Sequence, residues 1–408
     1  MRTALGNPFV PGSDAIPPLW AGRQAQISDY FDVIRPRKLA GLYERGRTIL
    51  GEAGAGKSTL VRKIAADSER FGDWATPQIR IPADTDALKA VADAVLALAK
   101  QAKIRKTGHL KDVIKRVEAI SISGVSLTLA KSPGMEPYTA LRQLIIEIGR
   151  SAVKQQKCVL IHIDEVQNIS NKSQLSQLLV ALGDAMAYEH KTEKKGQVLL
   201  QHLPISVYLT GLPEFSDLVS ANKATFGRRF QTIALRPMED IDFELALAPL
   251  VNQGWNIKTP NGETTQVLMT QPASRKLAKL SCGEPFLFQL AGSRAWYAGS
   301  GSTITIDDVE RGWLTVTGEA TSHVERIISR LPERERAIIH AMAELPIEDR
   351  TATQIAQKAG FKSATDIGSA TYRLDVDRGI IQRGKTYSFA NRAIEAYLTT
   401  SWPNLAEE

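Results

Sequence analysis

The chain has 408 residues, of which 43% are hydrophobic and 23% charged, and its formal net charge is +7. This composition is typical of folded globular domains, and the length predicts two or three of them. No apolar run is long enough to span a bilayer and the first residues lack a secretory h-region, so we expect a cytoplasmic protein without membrane contact. The two cysteines, Cys158 and Cys282, have no metal-binding spacing and are expected to be reduced core thiols.

Residues 1–23 are predicted to form an extended N-terminal arm that packs on the rest of the protein. Four closely spaced prolines exclude a helix there. A helix is then predicted from Gln24 to about Leu39, directly before the first core strand.

A glycine-rich turn follows that strand. Residues Gly51 to Ser58 match the pattern G-x-x-x-x-G-K-[ST] at every defined position, and residues 48–50 and 60–64 predict a buried strand before the turn and a helix after it. Glycines allow successive backbone N–H groups to face one anion, and the helix N-terminus adds partial positive charge. Lys57 is expected to reach the β- and γ-phosphates of ATP, and Ser58 to bind Mg²⁺. The residues predicted to line the phosphates are Gly51, Glu52, Ala53, Gly54, Ala55, Gly56, Lys57, Ser58 and Thr59.

Residues 100–135 are predicted to be an insertion between core strands. The first part is rich in lysine and arginine, and the second alternates apolar and polar residues around Gly124, which indicates a hairpin. The basic part either contacts nucleic acid or forms a solvated helix face. The positive net charge permits a nucleic-acid partner but does not require one.

A second chemical signal lies at the end of an apolar segment that runs from Cys158 to Ile163. The next two residues are Asp164 and Glu165, so the sequence predicts a central parallel strand that ends in two carboxylates. Asp164 would bind Mg²⁺, directly or through water, and Glu165 would polarise the attacking water as a general base. His162 lies inside this strand and is expected to be a core histidine.

The segment after this strand has the pattern of further core elements. We predict a helix over 175–188, a charged loop over 190–196, a second buried strand from Ile205 to Thr210 and a last core strand over 233–235. Residues 239–318 are predicted to be helical with interruptions.

The pattern changes at about residue 320. A helix, a short helix, a turn at Gly360, a helix over 363–378 and a hairpin over 379–389 predict a winged helix-turn-helix. The residues predicted to face duplex DNA are Lys362, Ser363, Thr365, Ser369, Thr371 and Arg373 on the recognition helix, and Arg383 and Lys385 at the wing. Winged helices also dock proteins, and that alternative is favoured by three acidic residues on the same helix, Asp366, Asp375 and Asp377.

Taken together, residues 19–398 resemble the AAA+ ATPases of the origin-recognition and Cdc6-like group, with STAND and archaeal-type ATPases as close alternatives. The resemblance rests mainly on the phosphate loop and on Asp164-Glu165, which stand where those proteins carry Walker A and Walker B. It implies an α/β fold with a doubly wound parallel sheet, a helical lid and a C-terminal winged helix. The implied boundaries are a core over 24–238, a lid over 239–318 and a winged helix over 319–400.

The resemblance also implies roles for residues of the core outside the two strong motifs. Gly22-Arg23 stands where the family has a box near the adenine, with Gln24 in place of the usual acid. Thr210 is the candidate sensor 1 residue, although a turn or helix N-cap also explains it. Arg228 or Arg229 would be an arginine finger, which acts only in an oligomer because it reaches the γ-phosphate of a neighbouring subunit.

In the lid, Pro285 matches the proline that packs beside the nucleotide in STAND ATPases, whereas Phe286 stands where AAA+ proteins carry the sensor 2 arginine.

The resemblance leads us to expect one of two functions. In the first, the ATP state controls assembly of a homo-oligomer on double-stranded DNA. In the second, the chain is a STAND-type switch whose winged helix docks a protein; the sequence has no long repeat sensor, which favours the first.

Overall fold

The computed structural model describes residues 2–12, 15–104, 137–194, 197–220, 226–258 and 262–405. Almost all of the predicted basic insertion over 100–135 lies outside the described residues. The chain divides into two compact units. The core unit comprises Arg23–Leu50 and Lys57–Ile233, and the C-terminal unit comprises Met1–Gly22, Gly51–Gly56 and Ala234–Glu408.

A mostly parallel sheet forms the centre of the core unit. Its strands are β1 (Gly46–Leu50), β2 (Trp74–Ala75), β3 (Ile79–Arg80), β4 (Val159–Asp164), β7 (Ile205–Gly211) and β8 (Phe230–Ala234), while β5 (Glu189–Lys194) and β6 (Gln197–His202) lie outside it. The order is β2–β4–β7–β1–β8, and β3 also pairs with β4. The predicted doubly wound sheet is therefore confirmed.

The central strands are buried along their whole length, as expected for a parallel sheet covered on both faces. In register, Ile163 pairs with Leu209, and Leu50 pairs with Gly211. Strands β1, β4 and β7 therefore end side by side, which brings the residues at their carboxyl ends together at one edge of the sheet.

Helices connect these strands. They are α1 (Gln24–Ser28), α2 (Arg35–Leu39), α3 (Lys57–Arg70), α4 (Ala87–Gln101), α5 (Pro137–Gln155), α6 (Lys172–Met186), α7 (Phe215–Ser220) and α8 (Phe226–Arg229). A π-helical segment joins α1 to α2, so the predicted helix from Gln24 to Leu39 is confirmed as one helical stretch.

The prediction of a charged loop over 190–196 is wrong where the structure describes it. This segment belongs to the β-hairpin of β5 and β6, which forms a two-stranded sheet of its own. Successive residues Leu199 and Leu200 are both exposed. The alternating burial that reveals a strand in a sequence is therefore missing.

The lid region contains the predicted helices and also a small sheet. The helices are α9 (Asp240–Ala248), α10 (Gln271–Leu280), α11 (Pro285–Ala298) and α12 (Ile306–Leu314). The additional strands are β9 (Trp255–Lys258), β10 (Thr264–Met269) and β11 (Thr303–Ile304). They are short and mix polar with apolar residues; β10 buries Val267 and Met269 alternately, but over too few positions to give a clear strand signal.

The N-terminal arm packs on the lid helices within the C-terminal unit. Arg2 forms an ion pair with Asp308 at 2.8 Å, and the ring of Phe9 meets that of Phe288 edge-on. Trp296 Nε1 donates to the carbonyl of Thr3 at 2.9 Å. These contacts attach the arm to the lid helices; the only helix or strand among the described residues of the arm is a 3₁₀ turn over Ala4–Gly6.

The remaining residues form the winged helix-turn-helix predicted from the sequence. Its elements are α13 (Thr317–Arg330), α14 (Glu333–Glu344), α15 (Ala352–Lys358), α16 (Ala364–Tyr372), β12 (Ile381–Gln382), β13 (Ser388–Phe389) and α17 (Arg392–Thr399). The recognition helix is α16, which a π-helical turn over Arg373–Asp377 extends. The core of this domain contains fully buried Ile338, Ile355, Ile367 and Leu374.

Both cysteines are buried free thiols, as predicted. Burial raises the pKa of Cys158 and of Cys282 to about 12, which makes both thiols unreactive at neutral pH. Within the part of the chain that the structure describes, no helix combines the length and the apolar character that crossing a bilayer demands.

Candidate functional site

The loop Gly51–Gly56 leads from the end of β1 directly to Lys57, the first residue of α3. Gly54 and Gly56 have φ values of 86° and 81°, in the left-handed region that favours glycine. Lys57 and Ser58 lie in the first turn of α3, which has 14 residues. The glycine backbone and the helix N-terminus together provide the features by which a phosphate loop binds anions.

One side chain of the loop is held by the winged helix. Glu52 is buried, and Arg378 Nη1 donates to its Oε1 at 3.1 Å. The same guanidinium donates from Nε to Glu335 Oε2 at 2.8 Å, and all three side chains are at least 95% buried. Removing one member of such a buried ion network costs about 3–5 kcal/mol, because it leaves a charge without compensation.

The glycines of the loop lie against the lid and α13. A Cβ atom at Gly54 would lie 2.7 Å from Cε1 of His323, which is a steric clash, and 3.0 Å from Cβ of Phe286, which is a very tight contact. A Cβ atom at Gly56 would lie 3.9 Å from Pro285. The resemblance placed Pro285 beside the nucleotide, and the structure brings it to the loop; His323 gave no sequence signal.

Asp164 ends β4, is 1% exposed and accepts hydrogen bonds at both carboxylate oxygens. Ser58 Oγ donates to Oδ1 at 3.0 Å, and the Thr210 hydroxyl donates to the same oxygen. Gln78 Nε2 donates to Oδ2. Ser58, Thr210 and Asp164, which the sequence predicted separately as site residues, therefore contact one another. Gln78, which lies just before β3, is a further partner of Asp164.

Burial alone would raise the pKa of the Asp164 carboxyl. Hydrogen bonds from Thr210, Gln78 and Ser58, together with the neighbouring His162, outweigh burial and lower that pKa below its usual value. His162 Nε2 lies 3.0 Å from the Thr210 hydroxyl oxygen. Because that hydroxyl donates to Asp164, its oxygen can accept from the imidazole, so His162 is a buried partner of the site as well as a core residue.

Glu165 follows Asp164 with φ of 59°, a left-handed value that is uncommon outside glycine. Its carboxylate accepts a hydrogen bond from Gln167 Nε2. The Oε1 atom of Gln167 in turn accepts from the Leu212 backbone N–H at 3.0 Å. Gln167 therefore ties the candidate base to the segment after β7. Its position two residues after Asp-Glu was a usable signal that sequence reasoning missed.

The oxygens at this edge of the sheet fit Mg²⁺. The Ser58 hydroxyl and one carboxylate oxygen of Asp164 are hard ligands, and they already lie within hydrogen-bonding distance of each other. No group of three or more His, Cys, Asp or Glu side chains suited to a metal ion occurs among the described residues. Mg²⁺ is usually bound through one or two carboxylates together with water and substrate phosphates.

The predicted adenine box, Gly22-Arg23, forms a strained turn. Gly22 has φ of 54° and Arg23 has φ of 63°, so two successive residues are left-handed just before α1. Trp20 Nε1 donates to the Gly22 carbonyl at 2.9 Å. A left-handed φ is costly at Arg23, which is not a glycine, and backbone strain of this kind is concentrated at functional sites.

The paired arginines before β8 differ in their surroundings. Arg229 forms an ion pair with Asp184 of α6. Arg228 is exposed. Arg228 is thus the more exposed of the two candidates.

Some of the predicted DNA-facing residues of the winged helix are exposed, whereas others are buried or bonded to other residues of the protein. Lys362, Thr365, Ser369 and Lys385 are exposed. Ser363 is also exposed and forms a capping box with Asp366 at the start of α16. Contrary to the prediction, Thr371 is buried, and its hydroxyl donates to the Gly368 carbonyl.

The predicted DNA-contacting arginines form ion pairs within the C-terminal unit. Arg373 Nε donates to Glu335 at 2.7 Å. Arg383 Nε lies 3.3 Å from Asp375, which Arg236 also contacts at 2.8 Å. One of these carboxylates, that of Asp375, belongs to the acidic group that the sequence led us to expect would disfavour DNA.

The phosphate-loop strand β1 lies between β7 and β8, and the strand that ends in Asp164 lies beyond β7, so the core has a P-loop α/β sheet. No protein-family model matches the sequence, and no curated protein matches it. Solved structures do match. A Walker-type ATPase of Pyrococcus abyssi is 15% identical with a TM-score of 0.52, over 93% of this chain and 96% of that protein.

The ORC2 protein of Aeropyrum pernix, in ADPNP–ADP complexes, is 14% identical with a TM-score of 0.51, over 95% of this chain and 94% of that protein. At this level of identity the likeness is one of fold. The chain therefore shares the fold of these two proteins, and the resemblance predicted from the sequence is confirmed at the level of the fold.

Proposed function

We propose that the chain binds ATP with Mg²⁺ at the phosphate loop and hydrolyses it. The observation that carries this proposal is the carboxylate of Asp164, which accepts a hydrogen bond from Ser58 in the first turn of the helix after the loop. Bound Mg²⁺ would supply positive charge to the β- and γ-phosphates. Lys57 would add its ammonium charge to the same oxygens.

Glu165 is the proposed general base. Its carboxylate takes a proton from a water molecule as the water oxygen bonds to the γ-phosphorus and the bond to the ADP oxygen breaks. Gln167 supports this role because its amide holds the Glu165 carboxylate and its carbonyl oxygen is fixed by Leu212. Phosphate release from ATP by the full chain tests the proposal: we expect release with Mg²⁺ and only background with EDTA. Equal rates in both would contradict it.

We further propose that assembly completes the site and that Arg228 is the residue a neighbouring subunit contributes. The ion pair of Arg229 with Asp184 supports this choice, because it commits Arg229 to its own subunit. Mixtures of wild-type and Arg228→Ala chains at fixed total concentration should then release less phosphate than dilution predicts. A constant rate per chain in a demonstrably monomeric wild-type sample would rule the idea out.

The first candidate function is control of assembly on duplex DNA, through the winged helix. Replacing both Arg383 and Lys385 with alanine should weaken binding to all sequences alike, because the wing side chains would bind phosphates. The slope of log affinity against log salt should fall by about one for each phosphate that is no longer neutralised. Gel-shift titration of the full chain at several salt concentrations measures both quantities.

The matched control for this experiment removes two positive charges from the lid, with Lys276→Ala and Arg294→Ala, and should leave DNA affinity nearly unchanged. If the wild-type chain gives no shift at micromolar concentration and low salt, the winged helix does not bind DNA. That outcome would favour the second candidate function.

The second candidate is a nucleotide-dependent switch whose winged helix docks a protein. The buried ion pair of Arg378 with Glu52 favours it, because this pair attaches the winged helix to the phosphate loop. A change at the loop would then reach the winged helix through the guanidinium of Arg378. Phosphate release that rises with duplex DNA supports the first candidate, whereas release that rises only with a protein partner supports this one.

A further inference from the structure

His323 lies on α13, and its imidazole occupies the space that a side chain at Gly54 would fill. The position of a Cβ atom at Gly54 is 2.7 Å from Cε1 of the ring and 3.4 Å from Nε2. The ring is therefore in direct contact with the backbone of the phosphate loop, at one of its two left-handed glycines.

The Nε2 atom of this imidazole is buried and has no hydrogen-bond partner among the described residues. The side chain of His323 is 6% exposed. The nearest carboxylate oxygen, Oε2 of Glu284, is 3.9 Å away, which is too far for a hydrogen bond. A buried polar atom without a partner costs about 1–3 kcal/mol, so its persistence calls for an explanation.

The surroundings fix the ring in this position. Phe286 packs against it, with ring centroids 4.9 Å apart and an interplanar angle of 36°. Glu284 does not turn to meet Nε2, because its other oxygen accepts from Asn391 Nδ2 at 2.7 Å. Asn391 in turn caps α17 through the Ile394 backbone N–H. The imidazole is thus held against the loop while its nitrogen stays unsatisfied.

We propose that His323 is a phosphate-binding residue whose Nε2 donates a hydrogen bond to a phosphate oxygen of the nucleotide on the loop. The inference rests on the proposed function, since it requires a nucleotide at Gly51–Gly56. An anionic oxygen would satisfy the buried nitrogen with a charge-assisted hydrogen bond, which is stronger than one between neutral groups. Helix α13 would then sense directly whether the loop is occupied.

The test is an equilibrium titration of the full chain with fluorescent ADP and ATP analogues in Mg²⁺. His323→Phe keeps a ring against Phe286 and removes the donor, so affinity should fall about tenfold. His323→Gln restores an N–H donor and should recover most of that affinity. His340→Phe makes the same change at an exposed position on α14 and should bind like the wild type.

Each outcome has a distinct meaning. If the wild-type chain binds no nucleotide, the proposed function fails. If it binds and His323→Phe binds with equal affinity, only the role of His323 is wrong. If the phenylalanine variant does not fold, His323→Gln and a measurement on the wild type decide.

That second measurement follows the imidazole signals of the six histidines by NMR while ADP is added to the wild-type chain. The signal absent from His323→Gln should shift on saturation, because its nitrogen gains an anionic acceptor. The His340 signal should not move. An unchanged His323 signal at saturating ADP would overturn the inference whatever the variants show.

Discussion

Replacing Glu165 with glutamine is expected to lower the rate of ATP hydrolysis by about 10²–10⁴-fold while nucleotide affinity stays within about twofold. The amide keeps the size of the carboxylate and retains an oxygen that accepts the hydrogen bond from Gln167. It cannot take a proton from water at neutral pH. The site therefore stays formed, and only the proton transfer in the transition state is removed.

Single-turnover phosphate release and equilibrium titration, on the same preparation, separate the two quantities. The control is Asp217→Asn, which removes the same charge from an exposed position on α7 and should leave both unchanged. Hydrolysis by Glu165→Gln at the wild-type rate would show that another group activates the water. Weakened binding would show that Glu165 holds the site together.

Lys57→Ala is expected to weaken nucleotide binding by at least about 100-fold, on the order of 3 kcal/mol. The ammonium group belongs to the first residue of α3, and the free N–H groups at a helix N-terminus favour an anion there. Truncating one member of a buried, hydrogen-bonded charge pair costs about 2–5 kcal/mol, which covers this decrease in affinity.

The control for this variant is Lys63→Ala, which removes an equal charge from the same helix. Lys63 forms an ion pair with Asp67 at 3.0 Å, away from the first turn. Its replacement should change neither affinity nor turnover. If Lys57→Ala binds ATP as tightly as the wild type, the loop is not the phosphate site.

The sequence was most informative where chemistry depends on neighbouring residues. The phosphate loop needs glycines at fixed spacing, and a buried strand ending in Asp164 and Glu165 needs only a run of apolar residues before them. Both signals lie within short segments of the sequence, so the main residues of the candidate site could be predicted without the structure. The winged helix was recognised for the same reason, since its helices, turn and hairpin follow in order along the chain.

The strands of the lid and the hairpin of β5 and β6 were harder to predict, because the signal for a strand is the burial of alternate residues. Leu199 and Leu200 are both exposed, and β9 buries Ile257 alone of its four residues. In β10 the buried residues are only Val267 and Met269, so a segment this short offers too few alternating positions to distinguish a strand from a loop. Their pairing is decided by partners that a local pattern does not contain.

The contacts around the loop could not be predicted at all, because they join residues that are far apart in the chain. Glu52 and Arg378 are separated by 326 positions, and nothing near either residue marks the other as its partner. The same holds for His323 and Gly54. His162 and Gln167 were different: both adjoin Asp164-Glu165, and their polar side chains beside two carboxylates were a signal in themselves.

The central claim is that this loop binds ATP, and calorimetric titration of the full chain with ATP in Mg²⁺ tests it most directly. We predict one nucleotide bound per chain with micromolar or tighter affinity, retained in Glu165→Gln and abolished in Lys57→Ala. A folded wild-type chain that shows no binding at millimolar ATP, or that binds equally well with alanine at position 57, would contradict the account.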